Sequence, residues 1–192
     1  DLKHLDFEPK GWRTLDADKG DLNKDGYDDH VMVLECNTYQ TTIAHNDTLV
    51  YKPRILAMAL YNKTNRNYDI VAQSNTFILT DDTTDFYTEP FVRARITAGS
   101  VYITYILAAT RETMQETSTT YKFRYHNNAF ALIGAEYKSY HPRSLYYTKR
   151  SFNFLTKKWL ETTGYEQHGD TPTETWHTLV LPELKTFETF TQ

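Results

Sequence analysis

The sequence predicts a mainly β protein of antiparallel sheets, built as a sandwich or a partial propeller-like sheet, with little helix. Three observations carry this. Residues that suit a pleated, half-buried surface are abundant, with 15 Tyr, 10 Phe and 3 Trp in 192 residues. Apolar residues alternate with polar ones over short runs instead of recurring at helical spacing. Turn chemistry separates the runs and no helix-length segment alternates with them, which favours antiparallel sheets over parallel βαβ units.

Residues 12–17 and 28–35 are predicted strands bracketing an acidic loop. Residues 37–52 are polar and irregular, and a long loop is expected there. Arg54 to Tyr61 is nearly continuous in apolar residues, as in a strand covered on both faces. Tyr68 to Gln73 pairs with it through the turn Asn62-Lys63-Thr64-Asn65. Asp81 to Asp85 lacks Gly and alternation, and is taken as a turn rather than a second metal loop.

Phe91 to Ile96 puts Val92, Ala94 and Ile96 on one face and Arg93 and Arg95 on the other. Gly99-Ser100 turns into the apolar run Val101 to Ala108. In Thr120 to His126, Tyr121, Phe123 and Tyr125 share one face and Lys122, Arg124 and His126 the other. Asn127-Asn128 is a two-residue hairpin turn, since Asn tolerates positive φ, and Ala129 to Glu136 returns from it. One or two strands are expected in residues 145–156, a polar loop at 162–174, a strand over Trp176 to Leu181, and a short helix over Glu183 to Phe190.

The most informative segment is Asp21-Leu22-Asn23-Lys24-Asp25-Gly26-Tyr27-Asp28-Asp29. Oxygen side chains fall at loop positions 1, 3, 5 and 9, as Asp21, Asn23, Asp25 and Asp29. Hard cations such as calcium take about six to eight oxygen ligands in flexible geometry. Gly26 permits the sharp turn, and the Tyr27 carbonyl offers a further ligand. Position 12 is Met32 where an EF-hand has Glu, and the flanks are strands, so this is no EF-hand. A plain Asp/Asn turn is the simpler alternative.

Asp-x-Asn-x-Asp-Gly-x-x-Asp followed by a strand resembles the calcium loop of FG-GAP (integrin-like, VCBS-like) repeats. The stretch Gly20 to Asp29 is similar to one in bacterial secreted or lipid-anchored proteins with a single such loop. Looser matches run through Pro53 to Leu56, Tyr121 to Tyr125, Phe130 to Gly134 and Ser151 to Thr156. The resemblance implies calcium held by Asp21, Asn23, Asp25, the Tyr27 carbonyl and Asp29, and it names no activity.

A chain of this length fits a single β-rich domain spanning 1–192, with the calcium-loop hairpin at 12–35. No run approaches 18 apolar residues, so no membrane-spanning helix is expected. Cys36 is the lone cysteine and cannot form an intramolecular disulfide; a packed, inert thiol is expected. A start at Asp1 leads to the expectation of a processed chain, secreted or from a lipid-anchored precursor. A weak oxygen cage suits calcium-rich periplasmic or extracellular surroundings.

No Gly-x-Ser-x-Gly elbow, phosphate-binding glycine loop or His-Glu-x-x-His is present. The seven histidines show no zinc-like spacing. A non-enzymatic protein is therefore expected.

Residues 121–158 hold eight Lys or Arg against one acid, Glu136, in a chain of net charge −4. Aromatics interleave with them. Lys122, Arg124, Lys138, Tyr140, Arg143, Lys149 and Arg150 are the candidate partner surface. The expected partner is a protein that is acidic at the contact. Nucleic acid is disfavoured by the overall acidity and the lack of a reader motif. By analogy with small periplasmic β proteins, a specific version is an inhibitor or immunity protein of a toxin or secreted enzyme. The alternatives are a hydrolase of envelope glycan or lipid, or a glycan-binding module using surface Tyr and Trp.

Overall fold

The computed structural model describes residues 7–44, 47–80, 89–108, 114–167, 169, 171–187 and 189–190. These form β1 (Trp12–Gly20), β2 (Asp29–Cys36), β3 (Gln40–Ala44), β4 (Asp47–Tyr51), β5 (Arg54–Asn62), β6 (Asn67–Ser74) and β7 (Phe91–Thr97). The chain continues with β8 (Ser100–Leu107), β9 (Glu116–His126), β10 (Ala129–His141), β11 (Tyr146–Asn153), β12 (Lys158–Tyr165) and β13 (Thr173–Thr178). All pairings are antiparallel and no described residue is helical. The mainly β, antiparallel class is thus the one read from the sequence.

A four-stranded sheet has the order β1-β2-β5-β6, and a seven-stranded meander runs from β7 to β13. Short turns explain the meander. Asn127 and Asn128 both adopt left-handed φ, 51° and 60°, as a tight hairpin between right-twisted strands demands. The core lies between the sheets. Val31, Val33, Leu56 and Met58 from the smaller meet Ala94, Val101, Ile103, Phe123 and Leu132 from the larger. Phe77, 1% exposed, fills the centre with its ring 5.4 Å from those of Phe123 and Phe187. β2 is buried along its whole length, because Met32, Ala57 and Ala59 form a second, smaller cluster on the opposite face. None of the buried residues of the main core comes from β11, β12 or β13, so those strands extend the sheet past the sandwich.

Several expectations are corrected. Residues 37–52 are no loop: β3 and β4 pair as a separate two-stranded hairpin, Gln40 opposite Tyr51. Alternating Thr, Ile, Leu and Val there suits strand pairing despite the polar composition. The loop expected at 162–174 is shorter, since β12 runs to Tyr165 and β13 starts at Thr173. Residues 145–156 hold one strand. Val92 is exposed, because a bulge between Phe91 and Arg93 breaks the alternation. No helix covers Glu183 to Phe190 among its described residues. The segment instead lies against β10, with the Phe187 amide donating to the Phe130 carbonyl at 2.8 Å and Thr186 bridging Ala131. Burial of Phe187 outweighs local helical preference. Asp81 to Asp85 lies outside the described residues.

Candidate functional site

The loop between β1 and β2 is organised by its own side-chain oxygens. Asp21 accepts the amides of Asp25 (3.1 Å) and Gly26 (2.9 Å) on separate oxygens. Asn23 accepts the Asp25 amide at 3.0 Å, and Asp25 accepts the Tyr27 amide at 3.0 Å. Gly26 takes φ 87°, the left-handed conformation the turn requires. Asp29 behaves differently. It is 0% exposed, with Oδ2 accepting the amides of Leu22 (2.8 Å) and Asn23 (3.4 Å) and Oδ1 that of Tyr61 (3.0 Å). It ties the start of the loop to the end of β5. Burial pushes its carboxyl above the usual range, the three amides pull the other way, and the Asp25 charge adds to the rise.

Do these residues fit calcium? An ionised carboxylate offers about four lone-pair sites, so Asp21 and Asp25 keep acceptor capacity beyond their amide bonds. Asp21, Asn23 and Asp25 are only half-buried. Their hard-oxygen chemistry, with the Tyr27 carbonyl, fits calcium. Asp29 fits better as the buried anchor of the loop than as an open ligand. Among the described residues, no three His, Cys, Asp or Glu side chains are gathered as a ready-made metal cage. A cation of the chain itself stands at the loop mouth. The Lys63 ammonium is 3.1 Å from the Asp25 carbonyl, 3.7 Å from its carboxylate and 4.6 Å from the Tyr27 ring centre.

The basic segment divides between two faces of the seven-stranded sheet. Tyr121 and Phe123 face the core. On the outer face, cross-strand registers align Tyr102, Lys122, Gly134, Asn153 and Lys158 in one row. Ser118, Lys138 and Lys149 make a second row, and Tyr140 and Tyr147 a third. Arg150 lies opposite Tyr137 and Glu161, on the other face from Lys149. It donates to Glu161 at 2.8 Å and sits over the Tyr137 and Trp159 rings. Arg143 is in the exposed turn between β10 and β11. The candidate surface is therefore Lys122, Arg124, Lys138, Tyr140 and Lys149, without Arg150.

On that face, ammonium groups sit over tyrosine rings: Lys122 over Tyr102, Lys138 over Tyr140 and Lys149 over Tyr147, at 4.8–5.3 Å. A cleft of about 360 Å³ opens at its centre, lined by Tyr102, Lys122, Arg124, Glu136, Ser151 and Asn153. Gly134 forms its floor, where a Cβ would meet the Phe152 carbonyl at 2.9 Å. Tyr102, Ser151 and Asn153 join the site only through pairing register, and single-strand alternation carries no signal for them. Lys158 was signalled by its place at the end of the basic run.

His141 and Ser144 meet in the β10–β11 turn, Nδ1 to Oγ 3.0 Å. The Ser144 amide donates to the same nitrogen at 3.2 Å, which makes the pair a turn cap with both groups exposed.

Comparison with protein-family models, curated proteins and solved structures finds no match to this chain.

Proposed function

We propose that this is a non-enzymatic binding module whose outer sheet face captures a protein that is acidic at the contact. The carrying observation is the pair Lys122 and Arg124. Both are half-buried in the cleft, and among the described residues neither has a carboxylate at ion-pair distance. Three other cations of the same sheet are neutralised internally, Arg95 by Asp16, Lys138 by Glu166 and Arg150 by Glu161. Arg93, Lys149 and Lys158, which have no ion pair among the described residues, are exposed to water. Half-buried cations without partners favour an anion from outside.

A protein suits this face better than a neutral glycan. Sugar platforms need open ring faces. Here one face of Tyr102, Tyr140 and Tyr147 is covered by an ammonium, and Tyr147 is itself buried. On the other side of the sheet, Phe152, Trp159 and His177 stack on one another, Trp159 to His177 at 4.0 Å.

In this reading, calcium at Asp21, Asn23 and Asp25 is a structural staple, and the protein works in a periplasmic or extracellular compartment. An inhibitor or immunity protein of a secreted enzyme is the version that suits a rigid β scaffold. Affinity capture from the native envelope extract, with calcium present, tests the whole. One stoichiometric acidic protein is expected. Recovery of none, or equal recovery by a Lys122→Gln/Arg124→Gln variant, overturns it.

A further inference from the structure

We propose that the cleft is a carboxylate receptor, taking an Asp or Glu side chain of an acidic segment in the partner between Lys122 and Arg124. The inference deepens the reading above and rests on it for the partner being a protein.

The two cations lie two residues apart on β9 and on one face, so their Cα atoms are roughly 6.7 Å apart. A carboxylate between them can accept from the planar guanidinium fork and from the ammonium together. Arg124 is aimed by its neighbours: its Nε donates to Ser100 Oγ at 3.4 Å. Lys122 lies over the Tyr102 ring at 5.1 Å, which keeps its ammonium at the cleft wall. Gly134, opposite Lys122, removes the side chain that would otherwise fill the space beneath.

Glu136 explains the selectivity. It shares the cleft but sits opposite Thr120 and Ser151, one row away from Lys122, and accepts the Ser151 hydroxyl at 2.6 Å. It makes no ion pair with either cation, and its negative charge opposes dense anions. A phosphate or sulfate array packs more negative charge beside Glu136 than a carboxylate segment of the same length does, and is repelled more. Tyr140 and Lys149 extend the same face and give the flanking residues of such a segment a contact surface.

The test uses fluorescence anisotropy with a labelled hexaglutamate peptide, and a heparin-derived oligosaccharide as comparator. Four proteins are measured: wild type, Lys122→Gln/Arg124→Gln, Arg93→Gln/Lys157→Gln, and the charge-keeping swap Lys122→Arg/Arg124→Lys. The Arg93/Lys157 variant loses the same charge at exposed positions outside the cleft and outside the candidate surface. Peptide affinity is expected to fall about tenfold or more in the first variant and only slightly in the second. Lys122→Arg/Arg124→Lys, which keeps the charge, is expected to retain most of the affinity and serves as the folding control. Equal losses in the two charge-removing variants would mean a diffuse basic face and overturn the cleft. Tighter binding of the sulfated oligosaccharide than of the peptide would overturn the carboxylate assignment. Absence of peptide binding by wild type overturns the receptor even if a partner is captured from extract. Peptide binding without any captured partner leaves the receptor standing and removes the proposed function.

Discussion

The Asp18 carboxylate accepts the backbone amide of Ile96 at 2.8 Å, joining the edge strands of the two sheets. Asp16 does the same for Ala94 at 2.8 Å and pairs with Arg95. β1 edges the smaller sheet and β7 the larger. Two side-chain carboxylates thus serve β7 amides that a neighbouring strand would otherwise satisfy, and they cover an edge that would template aggregation. The strands approach closely: a Cβ at Gly20 would lie 2.7 Å from the Ile96 side chain.

Removing the Asp18 acceptor should therefore expose an unsatisfied amide. Asp18→Ala is expected to cost about 1–3 kcal/mol in urea unfolding, and Asp18→Asn, which keeps an acceptor, much less. Equal stabilities of the two variants would show that the link contributes nothing.

Glu35 and Arg54 form a buried pair, 3% and 2% exposed, with Arg54 Nε and Nη2 at 3.0 and 2.7 Å from one Glu35 oxygen. Arg13 holds the other oxygen at 2.6 Å, and Glu89 completes Arg54. Glu35→Ala leaves a buried guanidinium short of a partner, and a loss of about 3–5 kcal/mol is expected by denaturant titration.

The same pair sets an acid response. Burial raises the Glu35 carboxyl, but the hydrogen bonds and charges of Arg13 and Arg54 outweigh it, so the folded group lies below its ordinary value of 4.5. A depressed carboxyl stabilises the fold above that ordinary value, and the contribution is lost as pH falls through the folded value. Stability measured from pH 6 to 3 should drop less steeply in Glu35→Gln than in wild type. Parallel curves would assign the acid response to other groups.

In the loop, ligand and anchor separate by mutation. Calcium bound only to the native state adds about 2.7 kcal/mol at a hundredfold excess over Kd. Asp25→Ala should abolish the calcium-dependent rise in melting temperature and change the chelated protein little. Asp29→Ala should destabilise with or without calcium, because three amides lose their acceptor. No calcium shift in wild type would remove the metal assignment and leave the Asp29 prediction intact.

Gly134→Ala places a Cβ 2.9 Å from the Phe152 carbonyl oxygen, and backbone cannot yield as a flexible side chain does. A cost of about 1–3 kcal/mol is expected from thermal unfolding. A neutral effect would mean that β10 and β11 can separate locally.

Much was legible in the residues themselves. The alternation of Tyr121, Phe123 and Tyr125 with Lys122 and Arg124 located the core face of β9, and Asn127-Asn128 located its turn. These are local properties: side chains alternate along any strand, and Asn tolerates positive φ whatever it packs against. The four loop oxygens were visible for the same reason, but that Asp29 turns inward to a β5 amide was not.

The sequence by itself determined strand content, turn positions and the faces of individual strands. Only the tertiary structure decided that Lys149 joins Lys122 on the outer face while Arg150 faces the other way. It also decided that residues 37–52 pair as a hairpin, and that Phe187 docks where a helix was expected. Pairing register and edge closure depend on groups far apart in the chain, as with Asp16 and Ala94, 78 residues apart. Such contacts form only when packing two sheets together outweighs the entropy of closing those loops, and no local pattern encodes that balance.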